Sequence, residues 1–474
     1  MMDKFLFDEF RSVSAREWKQ KIQVELKGAD YNSTLLSHTN EGISIKPFYH
    51  QDTFRQIDVP NNPEVFLICQ SVFVNDEKKA NFLAIDALKR GANVIKFTAR
   101  KAFDFELLLK NLNKSAYQNL QIHFELQFLE LDFINALIDF IKDEKVYLNI
   151  DLIGNLVKHG HWFDNRQKDH EQLRAIIKKA PKNIGVLGVD VSHYQNSGAG
   201  IVQQVAYALA HANEYLNELF KAYQSKELQL EQIENIVKNM QFSFAVGGHY
   251  FFEIAKFRAF RSLWRSLLEV YALKADANIY ASPSLRNKSI YDVHVNMLRT
   301  TTECMSAIMG GANTIANVAY DAIFHKKHEF GERIARNQLI ILKEESGLKQ
   351  TDFSKGAYYI EDITTEISEK ALALFKDIEK SGGFVRQLFE GTIQRKIHES
   401  AQKEQQQFDS GELVLLGANK HPNKADRMKD ALELYPFVRT KKRQTTIKPI
   451  IAKRLAEGAE QKRLANETDE NKNG

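Results

Sequence analysis

The sequence runs to 474 residues, 43% of them hydrophobic and 27% charged, with a formal net charge of +4. That is ordinary globular material, long enough for one large domain with additions or for several smaller ones. The small positive excess excludes a global attraction to nucleic acid or to a membrane surface. Cys69 and Cys304 are the two cysteines. They lie far apart in apolar runs and belong to no CxxC pair, so they are expected to be buried free thiols in a reducing compartment. No apolar run approaches the ~20 residues of a membrane span. Asp3, Asp8, Glu9 and Arg11 interrupt any secretory apolar region. A cytoplasmic protein is expected.

In chain order, residues 1–27 read as a helical arm. Phe5, Phe7, Phe10, Val13, Trp18 and Ile22 are too many large apolar groups for a solvated tail. Ser14 and Glu17 form a capping box. Such an arm packs either on its own domain or on a partner subunit. From Glu64 the pattern becomes regular. Strand signals start near residues 64, 94, 121, 146, 183, 242, 277 and 313, and helical tracts separate them. The helices are expected at 76–90, 104–117, 129–143, 165–180, two within 200–239, one from about 251, one ending at Met309 and one at 331–347. Eight short strands alternating with helices are the signature of a (β/α)8 barrel, and the count favours it over a doubly wound open sheet. Two further helices are expected over 365–406, broken at Ser381-Gly382-Gly383. We read that SGGF run as a helix cap, not a phosphate cradle. Lys441, Lys442 and Arg443 open a polar tail, and 465–474, almost devoid of core-forming residues, is expected to be disordered.

On a barrel, chemistry sits at the carboxyl ends of the strands. The residues there are Gln70, Lys96, Arg100, Asp151, His193, Gln195, His249, Tyr250, Ser282, Ser284, Arg286, Asn317, Tyr320 and Asp321. There is no HExxH, CxxC, P-loop or GxGxxG, so neither a metal nor a nucleotide has a motif to stand on. His193 stands out, directly after a buried strand and before a Gly-Ala-Gly turn through which a ligand can approach the backbone. A neutral imidazole there can donate a hydrogen bond to a carbonyl as a polariser or acid.

Several longer segments then carry a resemblance. VHVNMLRTTTECMSAIMGGANTI (293–315) resembles the NNxxRTTxEAMSAxxGGxxS hallmark of the methylmalonyl-CoA mutases. FFEIAKFRAFRSLW (251–264), GERIARNQLIILKEESGL (331–348), SGGFVRQLFEGTIQRKIHES (381–400), SHYQNSGAG (192–200) and LLGANKHPN (415–423) resemble further segments of that family, in family order. The N-terminal stretch resembles the small subunit of the two-subunit bacterial enzyme, in which such an arm wraps the partner. The resemblance implies a (β/α)8 barrel threaded by CoA. It also implies a radical rearrangement between methylmalonyl-CoA and succinyl-CoA that uses adenosylcobalamin. It points to Arg299, Asn313 and Asn317 as substrate-binding residues.

The departures from the family are equally specific. The cobalt-ligating DxHxxG is missing: Asp292-Val293-His294 begins like it, but Met297 stands in place of the glycine. Too few residues follow Asn423 for a cobalamin-binding domain, which is expected to be absent. In the family's YHMQEAGA loop the tyrosine and histidine act in catalysis. Here His193 is kept and Ser192 replaces the tyrosine, so His193 and Gln195 read as vestigial. The family's TIRQYAGFS has no counterpart near 56–60, and LNIDLIGN replaces TIQND. The expected organisation is an arm contacting the partner (1–60), the barrel (61–365), a helical extension (366–425) and a polar tail (426–474). The expected function is that of a non-catalytic small subunit bound to a large subunit that carries adenosylcobalamin, with no cofactor or metal on this chain and acyl-CoA a possible ligand. The alternatives are a CoA-binding barrel served by a cobalamin domain in trans, and an unrelated barrel enzyme acting on a phosphorylated metabolite.

Overall fold

The computed structural model describes residues 9–113, 116–117, 119–348, 352–439 and 444–470. Phe5 and Phe7 of the arm and the basic Lys441, Lys442 and Arg443 lie outside them. Eight parallel strands close into a barrel. They are β1 (Leu67–Phe73), β2 (Val94–Ala99), β3 (Gln121–Leu126), β4 (Val146–Ile150), β5 (Ile184–Asp190), β6 (Gln241–Val246), β7 (Asn278–Pro283) and β8 (Thr314–Ala316). β8 pairs with both β7 and β1, with Thr314 opposite Leu67, and so closes the ring. Each strand signal read from the sequence is a barrel strand.

The strand period explains why. Along β6, Phe242 and Phe244 point out to the helix Tyr250–Val270, where Phe242 meets Trp264 at 4.8 Å and Phe244 meets Phe260 at 5.0 Å between ring centroids. Ser243 between them faces the barrel interior. Alternation on a two-sided buried sheet requires that division. β4 departs from it: the pairing with β5 slips between Tyr147 and Ile150, and Asn149 adopts φ 50°. Asn tolerates the left-handed region better than most residues, and the irregularity re-aims the end of the strand. On β5, Gly185 leaves room for the Tyr147 ring, since a Cβ there would lie 2.5 Å from Cδ1.

Two sequence expectations are corrected. The helix expected over 104–117 is only Phe105–Leu108, because Asn111 turns into the left-handed region at φ 62° and ends the helical path. The pair expected over 365–406 is instead Tyr358–Lys380, Phe384–Phe389 and Thr392–Ser410. Gly382, Gly383 and Gly391, all at positive φ, separate them.

The tail begins with more order than expected, and residues 471–474 of it lie outside the described residues. Residues 457–470 form a helix, and Ile447, Ile450, Leu455 and Ala456 before it are buried. The order comes from pairing, not from apolar pattern: Glu460 accepts the Ile290 backbone N–H at 2.9 Å and pairs with Arg454 at 2.6 Å. Glu467 accepts from the Met428 backbone N–H at 3.0 Å and the Tyr291 hydroxyl at 2.7 Å.

The arm begins with the helix Ala15–Glu25, capped by Ser14 and Glu17 as the sequence requires, and none of its residues is buried. An antiparallel ribbon follows, Ser37–His38 with Ser44–Ile45. This region docks on the extension: Lys46 pairs with Asp362 at 3.1 Å and Arg55 with Glu366 at 3.0 Å.

The helix Tyr250–Val270 buries Glu253, Lys256, Arg258 and Arg261. Arg258 bonds Glu361 at 2.6 Å and Asp352 at 2.8 Å. Arg258→Ala leaves the Glu361 carboxylate buried without its cation and is expected to lower unfolding stability by about 3–5 kcal/mol in urea titration. Joint replacement by Arg258→Met and Glu361→Leu is expected to cost less than the single change.

Candidate functional site

A cavity of about 710 Å³ opens among the carboxyl ends of the strands. Its wall mixes apolar and polar residues, and several of its charged groups are ion-paired. Lys96 on β2 meets Glu125 on β3 at 2.7 Å and lies 4.7 Å over the Tyr280 ring of β7. Lys158 pairs with Asp190 at the end of β5, and Asp190 also accepts the Ser192 hydroxyl at 2.5 Å. These contacts fix charge states. Burial opposes the charged form of Lys96, but Glu125 outweighs it and raises the ammonium well above its usual range. The Lys96 charge outweighs burial in lowering Glu125. Asp190 is lowered in the same way by Lys158 against burial.

Asp151, at the end of β4, is the hub of a second network. It accepts from His211 Nε2 at 2.9 Å, the Tyr215 hydroxyl at 2.8 Å and the Asp190 backbone N–H at 2.8 Å. Tyr194 bonds the other nitrogen of His211 at 2.9 Å. Burial alone would raise Asp151, but His211 and the backbone donors bring it below the ordinary carboxylate value.

Below the cavity the barrel is filled. His123 lies 4.7 Å from Tyr147 and 6.2 Å from Tyr280 between ring centroids. Cys69, Val94 and Tyr280 pack together beside them. Burial pushes the Cys69 thiol up to about 12, and Cys304 is also a buried free thiol. Above, residues 435–439 and 444–457 cross the mouth. The Ile447 N–H bonds the Gly160 carbonyl at 3.0 Å, the Lys453 N–H bonds the Asn196 carbonyl at 3.1 Å and the Leu455 N–H bonds the Arg286 carbonyl at 2.9 Å.

The sequence-derived candidates separate accordingly. His193 lines the cavity, but its Nε2 bonds the Ile450 carbonyl at 2.7 Å, so the expected donation to a carbonyl goes to the chain's own backbone. Burial lowers its pKa to about 4. Gln195 is buried, with its Oε1 unpartnered, behind Gly247. Asn317 faces the cavity but donates to Ala335 and Gln338 at 2.9 Å and accepts from Val318 at 2.8 Å. Asn313 lies at the opposite end of β8, where its Oδ1 accepts from Ile279 at 2.8 Å and Arg261 at 2.9 Å. Arg299 sits on the helix Val295–Met309, bonded to Asn296 at 2.7 Å and to the Leu416 carbonyl. Asn313 and Arg299 are therefore structural braces away from the cavity.

Lys96, Asp151, Ser282 and Arg286 do line the cavity. Arg286 is held there by Glu404 at 2.5 Å. Gln70 is bound by Arg336 at 2.8 Å, and Arg100 lies 5.3 Å over the Phe73 ring. The Ser284 hydroxyl donates to Asn196 at 3.0 Å. His249 lies 4.2 Å from the Phe252 ring and Tyr250 5.3 Å from Phe251, both outside the cavity wall. Tyr320 stacks on His294 at 5.3 Å. Asp321 meets His328 at 2.7 Å, with His325 alongside. Sequence reasoning missed Glu125, Lys158 and Asp190. Glu125 carried a signal, a charge at alternating spacing after Gln121 and His123 in a strand whose other residues are apolar.

A sequence model described as methylmalonyl-CoA mutase matches residues 147–472. The chain belongs to the methylmalonyl-CoA mutase family. It is 31% identical to the methylmalonyl-CoA mutase small subunit of Porphyromonas gingivalis, over 98% of this chain and 78% of that one. The methylmalonyl-CoA mutases of Cereibacter sphaeroides and Homo sapiens are 34% and 30% identical over 52% and 58% of this chain, but it spans only 34% and 36% of their lengths. The family match includes the tail that crosses the barrel mouth. Among the described residues, no helix is long and apolar enough to cross a membrane.

The filled interior yields a pH prediction. Burial, together with the charges of Lys96 and Lys145, lowers His123 to about 3, from the ordinary histidine value of 6.5. The unfolded chain then binds a proton that the folded chain refuses. Stability should fall as pH drops through the unfolded value, by about 2 kcal/mol at pH 5 from this residue alone. His123→Phe is expected to flatten the slope of unfolding free energy between pH 7 and 5, which denaturant titrations at each pH would read.

Proposed function

We propose that this chain is the small subunit of an adenosylcobalamin-dependent methylmalonyl-CoA mutase, that it carries out no isomerisation itself, and that it stabilises a large, catalytic, cobalamin-carrying subunit. The observation that supports this most is the filled barrel. The layer of His123, Tyr147 and Tyr280 occupies the axis along which a pantetheine chain would run, and each of the three side chains is buried. The residues present do not fit the cofactor either. The sequence has no DxHxxG histidine for cobalt, and the mouth to which a corrin ring would be presented is crossed by 435–439 and 444–457. We derive no chemical step through either group. Lys96, Glu125, Lys158 and Asp190 are held charged and His193 neutral at neutral pH, whereas an acid–base catalyst works best with a pKa near the operating pH.

The arm supports the partner assignment. The helix Ala15–Glu25 stands clear of the core, and Val13, Trp18 and Val24 are exposed. In a monomer such a row of apolar groups is a liability, and against a partner it is an interface.

The test is reconstitution. The chain alone, and the chain mixed with a standalone cobalamin-binding protein, are expected to give no conversion of methylmalonyl-CoA to succinyl-CoA. Co-expressed with a large mutase subunit, it is expected to copurify and to raise that subunit's melting temperature. His193→Ala is expected to leave the complex's turnover unchanged. Turnover with the cobalamin-binding protein alone would support the trans-acting alternative and overturn the non-catalytic reading.

A further inference from the structure

Beyond β8 the chain builds a cluster that the mutase reading does not use. The backbone folds back at Asp321, whose carbonyl accepts the N–H groups of Phe324 at 3.0 Å and His325 at 2.9 Å. That turn sets the His325 ring over the Asp321 carboxyl. His328 follows, with its Nε2 2.7 Å from Asp321 Oδ2 and its ring 4.7 Å from that of His325. One ligand atom from each of Asp321, His325 and His328 lies within 4.8 Å of the other two. A second carboxylate closes in from the other side. Glu433 Oε2 is 3.3 Å from His325 Nδ1, and the Glu433 backbone N–H is tied to the Phe324 carbonyl at 2.9 Å. Asp321 is buried and both imidazoles are half-buried; His325 Nδ1 bonds the Lys326 carbonyl at 2.8 Å, and His328 Nδ1 caps the helix Glu329–Ile340 by accepting the Gly331 N–H.

We infer that Asp321, His325 and His328 bind a divalent transition metal ion, Zn2+ in the first instance, with Glu433 or solvent as the fourth ligand. The donor set decides the class. Two neutral imidazole nitrogens and one or two carboxylates suit Zn2+ and its first-row neighbours, whereas Ca2+ and Mg2+ take oxygen shells of higher coordination number. Metal–ligand bonds of about 2.0–2.2 Å need the donor atoms to draw together, a movement easier for the two half-buried imidazoles than for a fully buried set. The carboxylates offset the ion's charge. The consequence is mechanical. Ala322 and Ile323 line the cavity, and Glu433 precedes Tyr435 and Pro436 on its rim. An ion held here would pin the loop after β8 to the start of the segment that crosses the mouth.

The site has no sequence motif, since Asp-x3-His-x2-His with a carboxylate from a distant stretch matches no recognised spacing. Tag-free protein dialysed against chelator would be titrated with ZnCl2 by calorimetry and with Co2+ by visible absorption. One Zn2+ per chain, a tetrahedral Co2+ spectrum and a raised melting temperature are expected. His325→Ala, which leaves the His328 helix cap intact, and Asp321→Asn should each weaken Zn2+ binding by about 100-fold or more. His398→Ala, an exposed histidine elsewhere, should bind as the unaltered chain does. Failure of the unaltered protein to bind Zn2+ stoichiometrically would overturn the site, and so would His325→Ala binding with unchanged affinity.

Discussion

The charges buried along the helix Tyr250–Val270 set the terms for the rest of the molecule. Lys256 reaches back to the Ala245 carbonyl at 2.8 Å and across to Gln204 at 3.0 Å, with Glu253 beside it. Arg258 reaches outward to Glu361 on the helix Tyr358–Lys380 and to Asp352. Arg261 bonds the Gly311 carbonyl at 3.2 Å and Asn313 at 2.9 Å, which ties the helix to the turn before β8. Pairs so deeply buried add little net stability over apolar replacements, yet breaking one is expensive. Their effect is to fix orientation. The helical extension is joined to the barrel through an arginine that has no other way to be neutralised. The arm is joined in turn through Glu41, which accepts the Ile201 and Val202 backbone N–H groups at 2.7 and 2.9 Å at the start of the helix Ile201–Gln224.

The same logic runs through the barrel interior. A polar cavity lined by lysines and carboxylates resembles an active site in composition, but its groups satisfy one another. Lys96 with Glu125 and Lys158 with Asp190 each hold the partner ionised. His193 and His123 are held neutral by burial. Perturbed pKa values gather at catalytic centres and also in structural ion pairs. Here Lys96, Glu125, Lys158, Asp190 and His193 each have a partner within the chain.

The fold was legible because its signals are local. Alternation within a strand, a glycine after it and an amphipathic helix behind it recur in each βα unit, and Phe242, Ser243 and Phe244 carry that information within three consecutive residues. The site was legible only where it followed from strand ends, as for Lys96, Asp151 and His193. Asn313 and Arg299 lie outside the cavity wall, because a family motif identifies a residue without saying which end of the barrel it serves. Asn313 lies at the amino end of its strand, where retention of a residue speaks for stability. Lys158 sits on the last turn of a helix, indistinguishable in sequence from a solvated lysine until Asp190 is seen opposite it. The Asp321, His325 and His328 cluster was invisible because a turn builds it.

The tail shows most clearly what a compositional reading misses. Its apolar residues are too few to predict a packed segment, so its polarity reads as disorder. In the structure the polarity itself does the folding. Arg454 donates to the Lys288 carbonyl at 3.0 Å and pairs with Glu460. Glu457 accepts the Val438 N–H at 2.7 Å. All three of these charged side chains are buried. A segment held by apolar contact alone could lift from the barrel mouth in stages, each exposing a little more surface. A segment that also buries charges resists this, because lifting it strands Arg454 from the Lys288 carbonyl and Glu460 from the Ile290 N–H, both on the barrel. Glu457 and its Val438 partner move together with the strap. A surface that displaced the strap at modest cost would have to satisfy Arg454 and Glu460 together.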